Sequence, residues 1–317
     1  MKKVLIIGCT GQDGTYLFEN LQKRNYEIIG IARNVVRSTL SKSIKPANIS
    51  KSKQVYDLLE AYKPDEIYYL AAFHQSSEDQ YYDDAELLRR SFDVNVLSLI
   101  NFLEGIKNYS KNSKLFYAAS SHIFGNSTES IQDETTPLNP NSIYGITKTA
   151  GVHLCCLYRE KHSIFISVGI LYNHESPLRS LKFVSQKIVK AAVAIKNKIQ
   201  DKLIIGNLNA KIDWGYAPDY VEAMYRILQL SSAGDFIISS GKIHTIRDFV
   251  KGVFEYLDLD WTKYVKEDPN LITKKEKYNL RGNNQKLKKM TRWQPTVSFN
   301  DLLKIMIREE LKHHDNK

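Results

Sequence analysis

Apolar and polar positions run along this chain in blocks. Residues 3–7 form a β-branched apolar run that stops at Gly8-Cys9-Thr10-Gly11-Gln12-Asp13-Gly14, and an amphipathic stretch through Tyr16, Leu17, Leu21 and Arg24 follows. An unbroken apolar run of this kind predicts a strand buried on both faces, and helical spacing behind it predicts a helix that packs back on that strand. The unit recurs. Residues 26–32 read as a second strand, a polar, lysine-rich crossing at 37–51 carries a short third strand near Ile49, 55–62 read as a helix and 66–72 as another buried strand. Helical spacing returns over 83–107 through Leu87, Leu88, Phe92, Val96, Leu99, Phe102 and Leu103, and 115–120 form an apolar strand ending in serines. Alternation of this kind up to about residue 171 predicts an α/β fold, a parallel sheet with helices on both faces. Right-handed crossovers then place ligands at the carboxyl ends of the strands.

Beyond residue 200 the pattern changes. Residues 203–205 and 236–238 read as short strands, and 245–257 and 300–312 as amphipathic helices. This predicts a smaller, discontinuous C-terminal lobe within 172–317. It folds over the edge of a nucleotide-binding domain made of 1–171 and returning segments from 172–240, with a cleft between the two.

Two stretches carry chemistry. In the first, a glycine turn joins a strand to a helix: Gly8 permits the turn, Gly11 and Gly14 let backbone approach a pyrophosphate, and the helix N-terminus at Gln12 and Asp13 faces the anion. The small residues Ala71 and Ala72, after Leu70, let a dinucleotide lie close above a strand end. Arg33 follows the second strand where an acidic residue would hold ribose hydroxyls, and an arginine there accommodates a 2′-phosphate. Asn34, Val35 and Val36 add little to such a phosphate site, so NAD is the expected cofactor, with NADP left open.

The second stretch, residues 115–148, puts Ser120 at a strand end and follows it with Tyr144-x-x-x-Lys148, a spacing that stacks two side chains on one helix face. Hydride transfer from a carbinol to a nicotinamide needs a base for the hydroxyl proton. Tyrosine, with a pKa of ~10, becomes one only if its phenolate is favoured. A lysine one turn away and a positive nicotinamide ring would do that, with Ser120 hydrogen-bonded to the same hydroxyl oxygen.

Composition removes competing classes. The 317 residues are 43% hydrophobic and 25% charged, with no apolar run near the roughly 20 residues of a membrane span. The net charge of +10 comes from dispersed lysines, densest at 263–289 and interrupted there by Glu267, Asp268 and Glu276, and no nucleic-acid motif accompanies it. Cys9, Cys155 and Cys156 have neither metal-ligand spacing nor a plausible bridge, so no metal is expected and a reducing cytoplasm is.

The spacing GxxGxxG resembles extended short-chain dehydrogenases, and GCTGQDGTYL resembles the GDP-mannose 4,6-dehydratases among them. So do Glu134-Thr135-Thr136-Pro137, Pro140-Asn141-Ser142-Ile143-Tyr144, Gly169-Ile170-Leu171-Tyr172-Asn173-His174-Glu175-Ser176-Pro177, Phe183-Val184-Ser185-Gln186-Lys187-Ile188 and Asp213-Trp214-Gly215. The resemblance implies a Rossmann-type doubly wound sheet, an NAD(P) cofactor and a GDP-linked manno-type sugar as substrate. It also implies that Asn173, Val184 and Lys187 face the sugar nucleotide, that Arg179 reaches its phosphates, and that His174 and Glu175 shape the loop. A homodimer built on helices at 83–107 and 145–161 follows from the same likeness. Three positions depart from the pattern: His122 stands where the family has the glutamate that takes the C5 proton, and Ile212 and Thr273 stand where it has arginines. The expectation is therefore an oxidoreductase at C4 of a GDP-linked hexose or heptose. A 4,6-dehydratase in which His122 replaces the glutamate is the runner-up, and a non-catalytic nucleotide-sensing protein is the alternative of another class.

Overall fold

The computed structural model describes residues 1–33, 43–74, 83–271 and 280–315. Seven strands form one sheet: β1 (Lys3–Ile7), β2 (Glu27–Ala32), β3 (Ile44–Pro46), β4 (Glu66–Tyr69), β5 (Lys114–Ser120), β6 (Ile166–Leu171) and, further along the chain, Asp235–Ile238. Every neighbouring pair is parallel. The short third strand lies at Ile44–Pro46, while Ile49, its expected centre, falls in the turn beyond. The strand expected over 66–72 ends at Tyr69, so Leu70, Ala71 and Ala72 follow it as irregular backbone.

Across the sheet the order runs Asp235–Ile238, β6, β5, β4, β1, β2, β3. Chain order reverses between β1 and β4. Two loops diverge there and open a crevice at the carboxyl ends of the strands, the position where doubly wound sheets take ligands. Helices α1 (Gln12–Gln22), α2 (Ser52–Tyr62), α3 (Asp84–Phe92), α4 (Ser98–Tyr109) and α5 (Ile143–His162) connect the first six strands. Buried side chains of α2, α4 and α5, among them Leu59, Phe102 and Cys155, cover one face with Tyr69 and Tyr117. The other face packs Leu17 and Leu21 of α1 against Tyr68 and Phe116.

The long helical segment at 83–107 is interrupted. Between α3 and α4 the residues Asp93–Leu97 form a π-turn, which turns Asn95 fully inward. Its carboxamide accepts from Phe73 N at 2.9 Å and donates to Phe73 O at 3.1 Å and to Thr147 Oγ1 at 3.0 Å. One side chain therefore ties the segment after β4 to α5. Such π-turns occur mostly where a site needs a side chain re-aimed.

After β6, strand β7 (Asn173–Glu175) leaves the main sheet. Helix α6 (Val184–Lys196), β8 (Leu203–Ile205), β9 (Lys211–Tyr216) and α7 (Ala217–Leu228) precede the return strand β10 (Asp235–Ile238). Then come β11 (Ile243–Thr245), α8 (Ile246–Tyr256), α9 (Trp261–Tyr264), β12 (Val265–Glu267), α10 (Gln285–Thr291) and α11 (Phe299–Asp315). Residues 236–238, within the stretch expected to send segments back to the nucleotide-binding domain, lie in the main sheet, where β10 pairs with β6. Helix α7 adds Tyr220, Met224 and Ile227 to the second face of that sheet. A separate core joins α6, β9, α8 and α11 through Val193, Trp214, Phe249, Phe254 and Ile307. A small sheet, β11-β9-β7, carries this core to the crevice, with Asn173 paired to Trp214.

Candidate active site

The glycine turn leaves β1 at the switch point. Gly8 has φ +89°, and a Cβ there would stand 2.9 Å from Ala71 N; a Cβ on Gly14 would stand 2.4 Å from Gly8 O. Both positions exclude any side chain, for reasons of conformation and close approach respectively. A Cβ on Gly11 would meet only Gly8 O, at an ordinary 3.5 Å, so this glycine keeps space open on the outer side of the turn. Gly11 is also the N-cap of α1 and offers no side-chain cap, which leaves the first-turn N–H groups for an incoming anion. This cradle fits a dinucleotide pyrophosphate. Ala71 and the exposed Ala72 lie beside it, and Arg33 stands exposed just past β2.

Gln12 and Asp13, at the helix N-terminus expected to face the anion, turn their side chains to the loop after β6. Gln12 Nε2 donates to His174 O at 3.1 Å, and Ser176 Oγ donates to Gln12 Oε1 at 2.7 Å. His174 Nε2 lies 3.0 Å from each Asp13 carboxylate oxygen, while Nδ1 lies 2.7 Å from Tyr172 O. A carbonyl can only accept, so Nδ1 carries a proton; a second proton on Nε2 makes the ring an imidazolium facing a carboxylate. Burial works against charge on both groups, and each partner overrides it: the Asp13 carboxyl is held below its ordinary range and His174 above. The ring also stacks on Tyr220 at 4.6 Å. The glycine turn and the Asn173–Ser176 segment therefore form one rigid unit.

Ser120 closes β5 as expected, and its Oγ accepts from His122 N at 3.3 Å. Its hydroxyl also acts on the Tyr144 phenol, drawing its pKa down. Tyr144 sits in the first turn of α5, where Ser142 caps the helix by accepting from Gly145 N at 3.1 Å. Lys148 is buried one turn on and donates to Ala118 O at 2.8 Å, with Nζ 5.7 Å from the Tyr144 ring centre. Burial pushes Tyr144 up to about 12, against the opposing pull of the Arg179 guanidinium and the Ser120 hydroxyl. Burial also brings Lys148 down to about 7. Arg179, not Lys148, is thus the cation that most favours the phenolate in the ligand-free protein.

Arg179 is anchored on two sides. Its Nε lies 3.1 Å from Glu175 Oε2 but off the axis for a hydrogen bond, so that contact is Coulombic. Its guanidinium lies 3.5 Å from the centre of the Phe183 ring. Ser185 Oγ donates to the same Glu175 oxygen at 2.6 Å, so Glu175 orders the loop, as the sequence suggested. Asn173, Val184 and Lys187 are each half-buried on β7 and the first turn of α6. Ile212 lies on β9 against the C-terminal core, and Thr273 falls outside the described residues.

His122 stands at the site, its ring centre 5.8 Å from that of Tyr144 and the planes 79° apart. Sequence reasoning missed His74. Its ring meets Tyr144 edge-on at 4.7 Å, lies 6.4 Å from His122 and stacks on Phe183 at 5.7 Å. The only sequence signal was its place three residues past the Leu70-Ala71 pair, beyond a strand end.

The family model described as GDP-mannose 4,6 dehydratase matches residues 5–306. GDP-mannose 4,6 dehydratase 2 of Arabidopsis thaliana is 38% identical, with 98% of this chain and 87% of the relative covered. The Homo sapiens GDP-mannose 4,6 dehydratase is 33% identical, with 97% and 91% covered. Among solved structures, dTDP-glucose 4,6-dehydratase from Bacillus anthracis in complex with NAD superposes with a TM-score of 0.84 at 18% identity, covering 99% of this chain and 98% of that one. RMD from Pseudomonas aeruginosa complexed with NADPH gives 0.82 at 20%, covering 99% and 100%. At those identities the two structures attest the fold alone, a parallel α/β sheet with a smaller C-terminal lobe. The match over nearly the whole length at more than 30% identity settles the family: this chain belongs to the GDP-mannose 4,6-dehydratase family of sugar-nucleotide dehydratases and epimerases.

Proposed function

We propose that this protein oxidises C4 of a GDP-linked manno-type sugar, hexose or heptose, to the 4-keto form with NAD, NADP serving less well. The observation that carries the reading is the meeting of Ser120, at the end of β5, with Tyr144, in the first turn of α5, at the carboxyl edge of the sheet beside a glycine cradle that fits a dinucleotide. A bound nicotinamide would supply the hydride acceptor and a positive charge beside the phenol. Ser120 orients the C4 hydroxyl, and Tyr144 takes its proton. Buried Lys148, titrating near neutrality, holds Ala118 O and adds positive charge beneath the tyrosine ring when protonated. Gly8, Gly11, Gly14 and the free N–H groups of α1 hold the pyrophosphate, with Leu70, Ala71 and Ala72 under the nicotinamide half and Arg33 near the adenosine. Asn173, Val184 and Lys187 face the sugar nucleotide, and Arg179 reaches its phosphates.

A second reading, the complete 4,6-dehydratase reaction, draws on the full-length match to such enzymes and on the place of His122 beside Tyr144. Mass spectrometry of products from a panel of GDP-sugars separates the two. A 4-keto sugar that keeps its C6 hydroxyl supports the first, and a product lighter by one water supports the second. Bound nucleotide with no turnover of any GDP-sugar defeats both. Comparing Michaelis constants for NAD and NADP decides the cofactor, and a large preference for NADP overturns that assignment.

A further inference from the structure

Two imidazoles, not one, stand against the catalytic tyrosine. His74 and His122 each meet Tyr144 edge-on, with ring centres at 4.7 and 5.8 Å, and lie 6.4 Å from one another. His74 is exposed and His122 half-buried, so both border the open side of the site. Neither is loosely placed. Asn95 clamps the backbone of Phe73, next to His74, and the His74 ring packs on Phe183, whose ring also carries the Arg179 guanidinium. His122 is fixed through its own N–H to Ser120 Oγ. Asp13, a carboxylate whose charge reaches Tyr144, is held by His174 and faces away from this role.

We propose that His74 and His122 are an acid–base pair that exchanges the proton on a carbon adjacent to C4 of the 4-keto sugar, with the C6 substituent left in place. The inference rests on the reading above only for the substrate class. Carbons next to C4 lie about 1.5 Å from it, so groups packed around the residue that serves the C4 hydroxyl are within reach of their hydrogens. A carbonyl at C4 makes those hydrogens acidic. One imidazole nitrogen takes the proton, the C–H electron pair becomes the C=C bond of an enolate, and the C4=O pair moves onto oxygen, where Ser120 and Tyr144 donate to it. The imidazolium, or its neighbour, returns a proton to carbon, and return to the opposite face inverts the centre. Nothing is oxidised or reduced, so no co-reactant is needed. Imidazole suits both halves because its ordinary pKa lies near neutrality.

The experiment supplies a GDP-linked 6-deoxy-4-keto hexose directly in D2O and follows deuterium at C3 and C5 by NMR. No oxidation or loss of water is then required. The expected result is exchange well above the buffer rate, reduced about a hundredfold by H74A and by H122A. Exchange at the buffer rate while the sugar binds overturns the proposal, as does undiminished exchange in the double variant. Should H122A fail to fold, H74A at its exposed position still decides. Nicotinamide reduction with GDP-mannose is scored separately: exchange without reduction removes the 4-dehydrogenase reading alone, and reduction without exchange removes this inference alone.

Discussion

His174 faces Asp13 with one ring nitrogen 3.0 Å from both carboxylate oxygens and the other against a backbone carbonyl. This contact joins the turn built to hold a dinucleotide to the segment that presents Asn173, so order at one ligand site is order at the other. Its dependence on pH follows from the direction of each shift. His174 is raised above 6.5, so its contribution is full below that value and fades as pH climbs through the raised folded value. Asp13 is lowered below 3.8, so its contribution fades only as pH falls through the lowered value. H174Q should therefore cost most stability between about pH 4 and 6.5, with the gap from wild type narrowing above that window. Urea denaturation across pH measures it; a gap that widens with rising pH contradicts the charged pair.

Lys148 has the opposite sign. Its folded value of about 7 lies below the 10.5 of an ordinary lysine, so the unfolded chain binds the extra proton between those limits and stability rises with pH across them. Below pH 7 the folded state carries a buried charge at a cost on the order of 3–5 kcal/mol. K148M should then melt higher than wild type at pH 6, lose that advantage by pH 10.5, and be inactive throughout. Thermal melts at the two pH values check this.

The parts of this site visible in sequence were those whose spacing carries the chemistry. Gly8, Gly11 and Gly14 announce the cradle, and the interval from Tyr144 to Lys148 announces one helix face. His74 was hidden because nothing local distinguishes it; it reaches Tyr144 only because the Asp93–Leu97 π-turn points Asn95 at Phe73, and a π-turn has no spacing signature in an otherwise regular helical pattern. The upward push of burial on Tyr144 was hidden for a related reason. Burial outweighs neighbouring charge here, and burial is set by the packed fold, not by residues one turn away. Likewise, which segment of 172–240 returns to the main sheet was hidden because the pairing of β10 with β6 is long-range.

Gly14 gives a steric test of the cradle. G14A would place a Cβ 2.4 Å from Gly8 O and 2.6 Å from Cys9 Cα, both backbone atoms that cannot rotate away. The turn must open, with an expected loss of about 2 kcal/mol or more and at least tenfold weaker dinucleotide binding. Calorimetric titration with NAD measures it. G11A, which meets only an ordinary contact in the protein, should weaken binding with little loss of stability.

Helices α4 and α5 and the π-turn leave Leu97 and Leu157 about half exposed, at 53% and 51%. These lie where a paired-helix dimer would form, and burial in an interface is the ordinary reason for apolar side chains on such a face. L97E with L157E should convert a dimer to a monomer in light scattering while leaving the fold intact by circular dichroism. A wild-type mass of one chain, or an unchanged mass for the double variant, would overturn the assignment of this face to a dimer.

Asn95 offers a way to move His74 without touching it. N95A removes the acceptor for Phe73 N and the donor to Phe73 O and Thr147 Oγ1, all within a buried site. Losing three buried hydrogen bonds costs about 0.5–1.5 kcal/mol each, so a total loss near 3 kcal/mol is expected. The chain after β4 would then lose its tie to α5, and His74 its fixed distance from Tyr144, while the glycine cradle, held from β1 and the His174 segment, keeps its shape. Dinucleotide affinity should therefore survive, and turnover of the GDP-sugar should fall by tenfold or more. Titration and steady-state kinetics on one preparation separate the two quantities. Equal losses in both would mean that Asn95 supports the whole crevice rather than the placement of one ring.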